Sequence, residues 1–116
     1  MEPTSAKLAP LLDAQEALRW LSRAPAGATA LVVTTAKGRA LRATPAPDAL
    51  GRLHRALEAA QAAGASRALL WQLSGAAGVG EAVAIAGAVA EHRAQALAAV
   101  DALLSGLQGV ATREDL

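Results

Sequence analysis

The two residues with the clearest chemical potential are His92 and Arg93, adjacent in the sequence at the point where a helical pattern begins. Unpaired backbone amides and the positive end of the helix dipole favour an anion there, so a phosphate or carboxylate can dock, and an imidazole can also move a proton. No serine, cysteine or carboxylate stands at a spacing that completes a triad, and the plainer reading is a solvated His-Arg pair. Lys37 falls at a turn between two strand patterns, from which a side chain can reach a ligand over a sheet end; its plainer reading is a solvated turn lysine. His54 has only Glu58 one helical turn on, which makes no metal site. Gly75, Gly78 and Gly80 lie in a glycine-rich segment that is followed by a strand pattern and lacks a closing Lys-Ser or Lys-Thr, so it reads as a connection with positive-φ glycines and not as a phosphate loop. Trp20 and Trp71, the only aromatic residues, read as core or interface side chains and not as a base-stacking platform.

Composition bounds what such residues can serve. The 116 residues carry 11 basic and 10 acidic groups, a formal charge of +1, with no basic stripe, so nucleic acid is not an expected partner. The absence of cysteine removes disulfides, thiolate metal sites and thiol nucleophiles. The first twenty residues lack the basic start and apolar run of a signal peptide, and no 18 uncharged apolar residues follow one another, so neither secretion nor a membrane span is expected and the cytoplasm is the expected compartment. Hydrophobic residues make up 53% of the chain, but 33 residues are alanine, which leaves material for one modest core and a single domain over residues 1–116.

The elements that must position these groups follow from periodicity. Asp13 and Glu16 have capping-box spacing ahead of a first helix with Ala14, Leu18 and Leu21 on one face, ended by Pro25 and Gly27. Residues 28–36 and 39–44 read as a hairpin turning at Lys37-Gly38. Asp48 is placed to cap a second helix with Leu50, Leu53, Leu57 and Ala60 on one face, and Gly64 to end it. Two strands follow, residues 67–73 and 82–90; in the latter Val83, Ile85, Gly87 and Val89 share one side and alanines the other. A last helix starts near Glu91 and turns Leu97, Val100, Leu104 and Leu107 inward, before a polar tail over residues 112–115. The order αββαββα predicts an α+β fold with a mainly antiparallel sheet and three helices.

Residues 78–107 resemble the large, catalytic subunit of molybdopterin synthase. Val79-Gly80-Glu81 is followed at the family's eleven-residue interval by His92-Arg93, then Ala96-Leu97 and Leu107; upstream, Gly75 fits the approach to the turn, and residues 27–37 resemble the family's early strand, with Lys37 where arginine is usual. The resemblance spans roughly residues 10–108. It implies an α/β-hammerhead fold, a homodimer, and a ubiquitin-like small subunit whose C-terminal thiocarboxylate gives sulfur to cyclic pyranopterin monophosphate, as a step of molybdenum cofactor biosynthesis. It also implies that His92, Arg93 and Lys37 bind the anionic pterin phosphate, with no metal or other cofactor. Two family lysines fall at Gln108 and Asp115, and the His-Arg of the approach motif is replaced by Gln72-Leu73. An amine that stabilises the acyl and pterin intermediates cannot be replaced by an amide or a carboxylate. No catalytic residue is therefore assigned, and the expectation is a shortened member impaired in sulfur transfer. The alternative is a non-catalytic binding or assembly module that keeps the dimer surface or the small-subunit groove.

Overall fold

The computed structural model of the chain describes residues 2–25 and 27–116. Its elements are β1 (Thr4–Ala9), α1 (Ala14–Leu21), β2 (Ala28–Thr35), β3 (Leu41–Pro45), α2 (Ala49–Ala62), β4 (Arg67–Leu73), β5 (Gly75–Ala77), β6 (Ala82–Ala90), α3 (Arg93–Gly106) and β7 (Ala111–Asp115). The three helices and the four expected strands, β2, β3, β4 and β6, follow in the expected order, and β1, β5 and β7 are added to them. A four-stranded sheet runs β1-β4-β6-β2, with only β1 and β4 parallel, and a three-stranded antiparallel sheet runs β5-β3-β7. The architecture is α+β and its strands are mainly antiparallel. No helix among the described residues is long and apolar enough to cross a membrane.

The expected hairpin of residues 28–36 and 39–44 does not form. Beyond the end of β2, the Ala36 amide still donates to the Glu81 carbonyl and its own carbonyl accepts from Gly80 N–H, which holds the chain to β6. Leu41 and Ala43 of β3 are then free to bury their side chains and open the second sheet. The residues expected as a polar tail are its edge: Thr112 to Asp115 lie in β7, registered against β3.

Side-chain alternation in β6 decides what each face of the large sheet packs against. Val83, Ile85 and Val89 join Leu69, Trp71 and Leu73 of β4 in one cluster with Leu21 of α1, whereas Ala86 and Ala88 join Leu70 in another with α2 and α3. Gly87 lies on the α1 side, where a Cβ would stand 2.5 Å from Leu21 Cδ1. On the alanine side each residue buries little area, so stability there depends on close approach. Gly106 of α3 rests on Ala56 of α2 with no room for a Cβ between them.

The helical faces hold in part, with Leu21, Leu53, Leu57, Ala60 and Val100 buried as expected. Leu18, Leu50 and Leu97 are exposed, and the buried positions are Ala17 and Leu21 in α1, Ala49, Leu53, Ala56, Leu57 and Ala60 in α2, and Ala96, Ala99, Val100 and Leu103 in α3. Alanine is the contact residue here, which a search for leucine stripes overlooks. The caps divide similarly. Asp13 accepts from the Gln15 amide at 2.9 Å, but Glu16 turns away to Lys7 at 3.1 Å. Asp48 makes no cap and instead pairs with Arg52 Nε at 2.9 Å. Gly64, at φ +116°, ends α2 in a Schellman arrangement with Ala65 N–H on the Ala60 carbonyl.

Both tryptophans are structural. Trp71 is buried and donates Nε1–H to Ser5 Oγ at 3.0 Å, with Lys7 Nζ 4.4 Å from its ring centroid. Trp20 carries the guanidinium of Arg67 at 3.6 Å. Arg67 is 3% exposed and has no acid partner among the described residues; its Nε and Nη1 donate to the carbonyls of Trp20 and Glu2, each at 3.0 Å, which ties the start of the chain to the end of α1. Burial first, and the charge of Arg23 second, lower the pKa of Arg67 from the usual guanidinium value.

Candidate functional site

The β2–β6 ladder fixes where the three expected cations stand. Its register runs from Ala28 opposite Ala90 to Thr35 opposite Ala82. Beyond Ala90 the chain passes through Glu91 to His92, the N-cap of α3, whereas Lys37 lies just past the other end, after Thr35. At about 3.3 Å per residue these ends are more than 20 Å apart. His92 and Arg93 are adjacent, and within one chain Lys37 does not join them.

At the helix mouth, His92 has extended backbone geometry and its N–H donates to Gln95 Oε1 at 3.2 Å, which orders the first turn. The His92 side chain is 72% exposed, with Nε2 4.0 Å from Glu91 Oε1, and Arg93 is exposed beside it. An open cleft of about 620 Å³ adjoins this turn and is lined by Pro25, Gly27, Ser66 and Glu91, so the charge it presents is acidic. Gly27 is required where it stands, because a side chain there would meet the Glu91 carbonyl.

The opposite end is built differently. A cleft of about 360 Å³ lies where the C-terminal end of α3 and the start of β7 meet the large sheet; Thr34, Gln72, Gln108 and Arg113 supply its polar lining, and Leu104 and Leu107 supply apolar walls. Gln108, one of the two positions that the family resemblance assigns to lysine, faces this cleft. Asp115, the other, is exposed and sits 3.9 Å from Arg39. Lys7, the second lysine of the chain, is held by Glu16 and Trp71. No amine therefore lines the cleft among the described residues. Arg113 is a cation that sequence reasoning missed as part of a polar tail, and the segment ATRED has no apolar-polar alternation that marks it as a strand. Of the remaining candidates, His54 is exposed on α2, and the glycine-rich segment is partly strand β5, with positive φ at Gly75 and Gly80 but not at Gly78.

A mixed four-stranded sheet covered by two helices on one face, and by a helix and a small antiparallel sheet on the other, places the chain in the α+β class. More particularly, it has the fold of molybdopterin synthase large subunits. The molybdopterin biosynthesis MoaE protein from Burkholderia ambifaria matches with TM-score 0.83 at 19% identity, over 97% of this chain and 81% of that one. Molybdopterin cofactor biosynthesis protein E from Burkholderia multivorans matches with TM-score 0.84 at 18% identity, over 98% and 89%. A chain of the complex of subunits 1 and 2 of molybdopterin-converting factor from Helicobacter pylori matches with TM-score 0.81 at 14% identity, over 99% and 85%. No protein-family model matches the chain, and no curated protein matches it. The likeness is one of fold, and it agrees with the architecture that the sequence resemblance implied.

Proposed function

We propose that this chain serves molybdenum cofactor biosynthesis as a divergent large-subunit-like protein, which binds an anionic pterin phosphate and a small ubiquitin-like partner but is impaired in sulfur transfer. The observation that carries the reading is the whole-chain likeness to large subunits together with His92-Arg93 at the start of α3. Impairment rests on the cleft near Lys37, where Gln108 takes the place of an amine. An amide cannot form a covalent intermediate with an acyl group or carry a positive charge beside one.

The separation of Lys37 from His92 and Arg93 bears on the expected homodimer. Strand β2 is an edge of the large sheet, its sequence ATALVVTT carries no charge and no proline, and Val32 on it is exposed. Such an edge is a template for pairing with another strand. The other edge, β1, carries Lys7 and packs against α2. If two copies pair β2 with β2 in antiparallel fashion around a two-fold axis, the Thr35 end of one copy lies beside the Ala28 end of the other. Lys37 of each copy then approaches His92 and Arg93 of its partner, which makes the anion site a property of the dimer. Leu97, 57% exposed on α3, flanks the same edge, because α3 packs on β2.

Two measurements test this reading. Titration of the purified chain with cyclic pyranopterin monophosphate should show binding, and an assay with a thiocarboxylated small partner should show no dithiolene formation. Robust turnover overturns the proposed impairment. The second reading, a non-catalytic assembly module, is favoured by the acidic lining beside His92, and it requires capture of the small partner with no pterin binding at all.

A further inference from the structure

The open groove between α2 and α3 gathers positive charge with little to offset it. Its volume is about 330 Å³; Arg52 and Arg55 of α2, Ser105 of α3 and Gln108 just beyond it supply the polar lining, over alanine and glycine. No acidic residue lines it among the described residues. Close packing builds this surface, because Gly106 rests on Ala56 with no side chain between them and so carries Ser105 up to the arginines. Arg55 folds back along α2 until Nη1 stands 3.6 Å from where a Cβ on Gly51 would be, the direction that long side chains take on a helix. Arg52 keeps Nε on Asp48 Oδ2 at 2.9 Å and extends Nη1 to within 3.1 Å of a Cβ placed on Gly109. Arg55 has no acidic partner among the described residues. The first turn of α2 holds no acid and Asp48 makes no cap bond, so two cations share the positive end of a helix dipole against one carboxylate. Side chains three apart on a helix are neighbours, and like charges so placed repel. A bound anion relieves both repulsions.

We propose that this groove binds the phosphate group of a small phosphorylated molecule, with Arg55 as its principal contact and Arg52 and the Ser105 hydroxyl as further donors. A phosphate has oxygens enough for two forked guanidiniums and a hydroxyl, whereas one guanidinium already satisfies a carboxylate. The groove has the size of a small-molecule site. At 1.5 Å per residue, Ser105 lies about 20 Å along α3 from His92, so this site is separate from the mouth of that helix and stands without the functional reading above.

The test is a titration of the full chain with inorganic phosphate, followed by nitrogen-edited NMR at the Nε–H groups of Arg52 and Arg55 and the backbone amide of Ser105, with sodium chloride at matched ionic strength as the control. Phosphate should give saturable shifts at these three positions that chloride does not give. Arg55→Gln should weaken the binding about tenfold, the scale of one charge-assisted contact, and Arg55→Lys by less, since the charge remains and the fork is lost. Ser105→Ala should weaken it about threefold, and His92→Ala should leave it unchanged. Equal shifts with chloride, absence of shifts, full binding by Arg55→Gln or loss of binding in His92→Ala each overturns the proposal. None of these outcomes touches the functional reading, which fails separately if both the pterin phosphate and the small partner are refused.

Discussion

The two ends of the large sheet are built on opposite plans. At the Ala90 end the backbone does the work: α3 presents its first-turn amides, His92 and Arg93 stand in solvent, and the adjoining cleft is lined by Glu91. At the Thr35 end the side chains do it, with Gln72 locked in the core and Arg113 facing a cleft that no acid lines among the described residues. The first end offers a helix terminus beside an acid, the second a guanidinium beside a buried amide and no amine. The uncharged edge of β2 runs between them.

The most severe way to break this comparison is to deny the two ends each other. Val32→Lys places a charge at the middle of the β2 edge, where it opposes strand addition. Light scattering coupled to gel filtration should show the unaltered chain as a dimer and Val32→Lys as a monomer at micromolar concentration, with pterin-phosphate binding reduced in parallel. A variant that remains dimeric places the interface elsewhere.

A sharper test follows at smaller effect. Lys37→Ala and His92→Ala should each weaken pterin-phosphate binding by about tenfold, as expected for loss of one charged contact. Mixing the two variants yields mixed dimers in which one site has lost both side chains and the other has lost neither, so a fraction of tight sites should reappear. If mixing restores nothing, the two residues do not act across a dimer.

How much of this was legible in the sequence depends on residue type. The strands of residues 67–73 and 82–90 appear with the bounds their β-branched and apolar runs specify, and Val83, Ile85 and Val89 share a face as their alternation requires. The helices are legible as helices and their inward faces in part: Leu21, Leu53, Leu57, Ala60 and Val100 are buried as expected, whereas Leu18, Leu50 and Leu97 are exposed and Ala56, Ala96 and Ala99 are buried. In a chain with 33 alanines, an individual alanine carries little signal even where it is indispensable. Strands β1, β5 and β7 are short or polar and owe their conformation to partners distant in sequence: Ala6 to Leu70, Ala76 to Arg42, Arg113 to Ala43. The place of His92 and Arg93 at a helix start is legible because a helix start is a local signal. Arg113 is not legible in this way, because its place in a cleft depends on β3, some seventy residues earlier.

The smallest effect bears on why the helix mouth is acidic. Glu91 Oε1 stands 4.0 Å from His92 Nε2 and lines the cleft beside it, so a docking phosphate meets a like charge as well as the helix dipole. Both groups are largely exposed, and solvent and salt screen the repulsion, which limits it to well under the strength of a buried pair. Glu91→Gln should therefore raise pterin-phosphate affinity only about two- to threefold, most clearly at low ionic strength. If the anion sits at the α3 terminus, this gain appears and shrinks as salt is added. No gain at any ionic strength would move the anion away from the helix mouth.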